Sequence, residues 1–199
     1  METEDNLLIN KILESDLQFF KKGSTLLDIG CGEGLFVKIA NKKSYNCTGI
    51  DFFGHRYEKF KIDFAFKKAK VEKLPCKGAS IDGIYFSHII EHLLDPFKAV
   101  DECCRVLKKG GIIVIRTPVP SKNFFWKNPA HIRPYPLAAI EKICKGRFKI
   151  KKSFKRFWWS YYGFGLLSKI SVSIPYFLIK LLSFLPLERR ELVVVAEKV

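Results

Sequence analysis

Residues 26–34, LLDIGCGEG, constrain this chain more than any other stretch. Leu26, Leu27 and Ile29 form an apolar run around Asp28, and Gly30, Gly32 and Gly34 follow before the helical pattern LFVKIANKK. That order predicts a strand, a tight turn and a helix start, an arrangement that brings backbone close to a nucleotide-like ligand. Glycine permits φ > 0 and removes the Cβ atoms that would hold such a ligand away. A second short strand, 46–51, ends on Asp51, 21 positions after Gly30. A carboxylate there is placed to accept hydrogen bonds from ribose hydroxyls. The dinucleotide fingerprint would need glycine at position 35, where Leu35 stands, and no GK[ST] follows as in a P-loop. A loop without phosphate-binding Lys, Ser or Thr suits a nucleoside ligand that lacks a pyrophosphate.

Strand and helix patterns alternate along the rest of the chain, which predicts an α/β fold with a mostly parallel sheet and helices on both faces. Strands are expected at 24–30, 46–51, 63–69, 81–87, 111–117, 147–154 and 191–199. An N-terminal amphipathic helix is expected over 1–22, with acids early and lysines late to suit the helix dipole. A helix over 96–109 would bury Phe97, Val100, Cys104 and Leu107 on one face and stop at Gly110 and Gly111. Another is expected over 134–145. With 199 residues, one domain spanning 1–199 is the default. Six cysteines without CxxC or other zinc spacing predict reduced thiols, a cytoplasmic location and no metal site.

The longer pattern carries a resemblance. DIGCGEG with Asp51, KLPCKGASIDGIYFSHIIEHLLDPFKAVDECCRVLKKGGIIVIRTP and NPAHIRPYPLAAIEKI resemble the class I S-adenosylmethionine-dependent methyltransferases. The likeness covers most of 20–155 and the last strand, and lies in the branch that methylates small molecules, lipid-like quinones and glycans. It implies a Rossmann-like sheet of seven strands with strand 7 antiparallel, S-adenosylmethionine as cofactor and S-adenosylhomocysteine as product. The cofactor-binding residues it implies are Asp28, Gly30, Cys31, Gly32, Gly34, Asp51, Phe52, Lys70, Val71 and Ser87. Relatives place an acid where Lys70 stands. Lysine has no acceptor, so the adenine would rely on backbone atoms of Lys70 and Val71. Phe52 is read either as a cover for the adenine face or as core packing. The segment after Asp51, FFGHRYEKFKI, is expected to be mainly loop.

The family's last two strands are normally joined by a short connection. Here a hydrophobic helical insert, 156–188, intervenes, with seven aromatics from Phe154 to Phe164. Between Lys145 and Arg190 there are eleven Lys/Arg and one acid, which supplies most of the net charge of +15. A polar stripe of Lys169, Ser173, Tyr176, Lys180 and Ser183 runs beside Leu and Ile, and Pro175 interrupts it. Lys169, Pro175 and Lys180 argue against a bilayer span. Residues 157–186 are a candidate peripheral membrane contact on the cytoplasmic face, with Trp158, Trp159, Tyr161 and Tyr162 at headgroup level. A cap over the core and a protein–protein surface are the alternatives. Nucleic acid is disfavoured, because SHII stands where base N-methyltransferases carry [DNS]PP[YFW] and the basic residues sit among Leu and Ile.

Methyl transfer from a sulfonium is an in-line displacement that needs alignment and, for a hydroxyl acceptor, a base. His88, closing strand 4, and His131, after strand 5, are the expected catalytic residues. Glu91, His92, His55 and Tyr135 are weaker candidates, the first two also readable as helix-cap partners. His88, Glu91 and His92 also match the HxxEH zinc-peptidase pattern, which would require one continuous helix where a strand end is expected. The reading is O-methylation of a small-molecule, lipid-linked or glycan-linked acceptor. Its alternative is a non-catalytic S-adenosylmethionine-binding protein on the same scaffold.

Overall fold

A computed structural model describes residues 4–52, 63–120, 125–156 and 191–199. Among them, the strands are β1 (Thr25–Ile29), β2 (Asn46–Asp51), β3 (Phe66–Lys68), β4 (Ile81–Ser87), β5 (Leu107–Pro118), β6 (Phe148–Arg156) and β7 (Glu191–Lys198). They make one sheet in the order β3-β2-β1-β4-β5-β7-β6. β1 to β5 pair in parallel, and β7 runs antiparallel between β5 and β6. The Rossmann-like sheet expected from the sequence is therefore present, with its antiparallel strand inserted beside the edge rather than forming it.

Period-2 alternation divides the strand side chains between two apolar cores. Leu27, Ile29, Ile84, Phe86, Ile113, Ile115 and Val194 pack toward α3 (Pro96–Val106) and α4 (Leu137–Cys144). Leu26, Tyr85, Val114, Val193 and Val195 pack toward α1 (Glu4–Asp16) and α2 (Leu35–Lys42). The same parity puts Asp28, Arg116 and Glu191 on the α1/α2 face. All six cysteines are free.

Three local expectations are corrected. α1 ends at Asp16 with no basic residue in its last turn, so Lys21 and Lys22 do not serve its dipole; Asp16 instead meets the buried Arg116 and the partly buried Arg156. The buried stripe of α3 is Pro96, Ala99, Val100, Cys103 and Val106. Phe97 is exposed and Cys104 lies at the margin. The helix stops at Val106, four positions before Gly110, because Leu107 turns extended and pairs with Ile81.

The carboxyl ends of the parallel strands form one edge, which ligands use in open α/β sheets. Arg156 pairs with Glu191, and Glu191 pairs with Pro118 at the end of β5. The chain thus leaves β6 and re-enters β7 at this edge. His55, with the rest of 53–62 that was expected to be mainly loop, and the insert beyond Arg156 lie outside the described residues. β6, the outer strand, exposes Lys149, Lys151, Lys152 and Lys155, and lysines on an edge discourage pairing with another sheet. Part of the basic charge therefore has an account within the fold.

Candidate functional site

The glycine turn is stitched to β2. Gly30 N–H and Cys31 N–H both donate to the Ile50 carbonyl, at 2.7 and 3.2 Å. Gly32 N–H donates to Asp51 Oδ2 at 3.1 Å, and Gly34 N–H to the Cys31 carbonyl at 2.9 Å. These amides are used inside the protein, so the turn offers a ligand shape and carbonyls more than N–H donors. Gly30, at φ +74°, fits against Ile89, which a Cβ would overlap. Gly32, at φ +52°, has nothing within 4 Å of the position its Cβ would take. That open side lies next to the Asp51 carboxylate. Gly34 caps α2 in a left-handed conformation.

Cys31 turns its thiol toward Gly49 in the core, so only its backbone belongs to the turn. Asp28 sits beneath the turn and is almost wholly buried. Burial, reinforced by the negative charge of Asp51 and opposed by Arg116, pushes its carboxyl up to about 8.

Beyond Asp51, Phe52 is 46% exposed, which excludes the core-packing reading. The Lys70 ammonium lies over its ring, 4.6 Å from the centroid, within cation–π range. Lys70 thereby supports an exposed aromatic face where relatives would offer an acid. Val71 is buried in the core, leaving its backbone as the part that could line a pocket. Ser87, half-buried, ends β4 beside Arg116.

His88 follows at φ +55°, and the chain enters only a short 3-10 turn over Ile90–His92. His88 and His92 therefore do not share a helix face, which removes the peptidase reading. Nε2 of His88 meets Glu191 Oε1 at 2.8 Å and Nδ1 meets Glu91 Oε1 at 3.3 Å. Its side chain is one-third exposed. Burial opposes protonation, but the bonds and charges of Glu191 and Glu91 outweigh it and push the pKa up to about 9. A protonated imidazole held between two carboxylates is a poor proton acceptor.

The same carboxylates continue into a buried network absent from the sequence reading. Arg116 binds Glu191 through Nε at 2.9 Å and donates to the Tyr85 hydroxyl. Tyr85 in turn donates to Asp16 Oδ2 at 2.8 Å. Arg156 reaches Asp16 from the end of β6. Asp16, Arg116 and Glu191 are essentially without solvent. The sequence signal was a charge inside each of two apolar runs, IIVIRT and ELVVV.

Next to it, Glu91 is fully buried and accepts from Thr117 Oγ1 at 3.2 Å. His92 Nδ1 faces the Ala130 carbonyl at 2.9 Å, and His131 Nδ1 faces the Phe125 carbonyl at 2.7 Å. The two rings pack edge to face, 4.9 Å between centroids. Ile132 N–H donates to the Glu91 carbonyl at 2.8 Å, knitting the segments after β4 and β5 together. Tyr135 is buried nearby, and its hydroxyl has no hydrogen-bond partner among the described residues.

A methyltransferase domain family matches residues 27–115. The ubiquinone biosynthesis O-methyltransferase of Caulobacter vibrioides is 33% identical over 105 residues, 48% of this chain and 41% of that protein. The ubiquinone/menaquinone biosynthesis C-methyltransferase of Campylobacter jejuni is 32% identical over 108 residues, 49% of this chain and 46% of that one. The matched stretch thus spans less than half the length of these curated relatives. The crystal structure of a SAM-dependent methyltransferase from Archaeoglobus fulgidus superimposes with a TM-score of 0.72 at 21% identity, covering 97% of this chain and 94% of the other. At that identity the likeness is one of fold.

Proposed function

Because this chain belongs to the class I S-adenosylmethionine-dependent methyltransferases, we propose that it transfers the cofactor's methyl group to an oxygen of a small-molecule, lipid-linked or glycan-linked acceptor. One observation carries this reading. The open side of Gly32, the Asp51 carboxylate and the exposed Phe52 ring stand at the carboxyl ends of β1 and β2. Glu91, His92 and His131 follow β4 and β5 on the same edge. Donor and acceptor could therefore meet above β1 and β4.

S-adenosylmethionine supplies a methyl group on a sulfonium. The S–CH3 bond breaks with its electron pair staying on sulfur, the acceptor oxygen forms the new bond, and its proton leaves to a base or water. Asp51 is assigned to the ribose hydroxyls, Phe52 to the adenine face, and the backbone of Gly30, Cys31, Gly32, Gly34, Lys70, Val71 and Ser87 to the pocket wall. Asp28 supports the turn from below. Between the two histidines expected to act, His131 is the better acceptor-side group. Its Nδ1 donates to a carbonyl, leaving the Nε2 lone pair. His88 is assigned a positioning role as the cation between Glu91 and Glu191.

The lipid-linked alternative draws on residues 157–186, rich in Trp, Tyr, Leu, Ile and Lys, a stretch of the sequence between Arg156 and Glu191, which pair with each other at the ligand edge of the sheet. No helix among the described residues is long and apolar enough to cross a membrane. Calorimetry with S-adenosylmethionine, followed by transfer of labelled methyl to cell lipid, glycan and small-molecule fractions, tests the reading. Binding with an oxygen-methylated product is the expected result. Binding without product in any fraction would favour the non-catalytic alternative, and label on carbon or nitrogen would overturn the oxygen assignment.

A further inference from the structure

Seven bases and no acid stand from Lys145 to Arg156. The two arginines among them are used inside the protein, Arg147 on Asp101 and Arg156 on Asp16. The lysines of β6 turn outward instead: Lys149, Lys151, Lys152 and Lys155 are all exposed. A regular strand turns alternate residues to opposite faces. Here the pairing with β7 skips Lys151, between Ile150 and Lys152, and Lys151, Lys152 and Ser153 are exposed in succession. We propose that this outer edge of β6 is a docking surface for an anionic lipid bilayer.

Charged side chains of either sign protect a sheet edge, so edge protection accounts for charge on β6 and not for its single sign. Of the four lysines, only Lys151 has a carboxylate partner among the described residues, Glu197 at 2.9 Å. Lys152 lies over the rings of Phe19 and Phe154, 5.9 and 5.3 Å from their centroids. From Lys149 to Lys155 the strand advances about 20 Å, more than twice the Debye length of about 8 Å at physiological salt. A small anion can therefore meet one or two of these ammonium groups, whereas a flat anionic surface meets all four. Each lysine near such a surface strengthens binding about fivefold. Nucleic acid is the less fitting polyanion, being gripped by arginine and by aromatic faces on which bases stack. Here the arginines are bound to carboxylates, and Phe19 and Phe154 are partly buried beneath Lys152. β6 ends at the ligand edge, so a bilayer on this surface lies alongside the pocket. The contact does not rest on the methyl-transfer reading.

The test sediments the full chain with vesicles of mixed phosphatidylcholine and phosphatidylglycerol, and with vesicles of phosphatidylcholine alone. Binding to the first and not to the second, weakening steeply as salt rises, is the expected result. Lys149→Gln with Lys155→Gln should lower it about 25-fold. Lys67→Gln with Lys68→Gln removes the same charge from β3, the opposite outer strand, and should lower it less than about twofold. Both doublets keep residues 157–186 unchanged, and the β6 doublet should keep the parent unfolding midpoint and S-adenosylmethionine affinity. Equal losses in the two doublets would mean that net charge alone attracts the chain. Undiminished binding in the β6 doublet would mean that another segment makes the contact, and either result overturns the surface. Release by millimolar glycerol 3-phosphate would replace it with a pocket for one headgroup. Tighter retention on single-stranded RNA than on vesicles would assign the edge to nucleic acid instead. Vesicle binding as described, in a chain that binds no S-adenosylmethionine, would sink the transferase reading and leave this surface standing.

Discussion

The two halves of the ligand edge are built in different ways. Around β1 and β2 the geometry is made by backbone: the turn amides bond to Ile50, Asp51 and Cys31, and glycines provide the clearance. Around β4, β5 and β7 it is made by side chains from distant parts of the chain. Asp16 and Arg156, 140 positions apart, meet there with Tyr85, Arg116, Glu191 and His88. With His88 protonated, three carboxylates (Asp16, Glu91 and Glu191) face three cations (Arg116, Arg156 and His88) in a space largely closed to water. Removing one group from the first half should change what binds. Removing one from the second should change whether the chain folds.

The largest expected effect follows from that contrast. Arg116→Met takes from the buried Glu191 its main cation and leaves Asp16 to Arg156 alone, and breaking a buried ion pair in this way costs about 3–5 kcal/mol. Urea unfolding should show about a third to a half of the stability of a typical domain gone. A loss under about 1 kcal/mol would mean that water or rearrangement replaces the arginine, and that the acceptor half is no more dependent on side chains than the donor half.

Asp51→Asn is the complementary change. Asparagine keeps an acceptor for the Gly32 amide but loses the charge, and hydrogen bonds to a charged group contribute about 1.5–3 kcal/mol. S-adenosylmethionine affinity should fall roughly 10–100-fold, while the unfolding midpoint barely moves. If the midpoint fell as far as in Arg116→Met, the backbone would not be holding the donor half by itself.

Asp28 sits where the halves touch, since it feels both Asp51 and Arg116. Its carboxyl is raised from 3.8 to about 8 in the fold. The folded state therefore keeps a proton that the unfolded chain has already lost, so stability is greatest below the unfolded value and declines as pH rises toward 8. Relative to Asp28→Asn, whose amide does not titrate, the parent chain should lose on the order of 1–2 kcal/mol between pH 6 and 8. Parallel unfolding curves for the two proteins across that range would show that Asp28 is ionised in the fold and belongs electrostatically to the Arg116 network.

What could be read from the sequence follows the same division. The strand–turn–helix of 26–42, the carboxylate at Asp51 and the succession of strands along the chain are specified by neighbours a few residues apart, or by alternation along a strand. The network depends on contacts spanning up to 140 positions, and no local spacing announces them. Helix faces fell between the two. Phe97 looked like a core residue by period alone, but α3 turns Ala99 and Cys103 inward and leaves Phe97 outside. Glu91 and His92 were legible as a pair and His131 apart from them, and their convergence needed the Ile132–Glu91 backbone bond that joins their segments. His88 was legible in place and not in character, because the two carboxylates that hold it protonated come from the 3-10 turn and from β7.

The smallest effect concerns the one donor-side position where a side chain departs from the resemblance. Lys70 lies over Phe52, and both are exposed. A cation–π contact at an exposed site contributes about 0.5–1 kcal/mol. Lys70→Ala should therefore lower S-adenosylmethionine affinity by about fivefold or less, through loss of order in the Phe52 ring rather than loss of a direct contact. Lys70→Asp separates the two ways this position can serve the pocket. An acid able to accept from the adenine amino group should restore affinity to the parent level or above, even though the cation–π support is gone. If Lys70→Asp binds no better than Lys70→Ala, the Phe52 face is the adenine contact that matters. In that case even the donor half, otherwise made by backbone, would depend at its outer rim on a single pair of side chains.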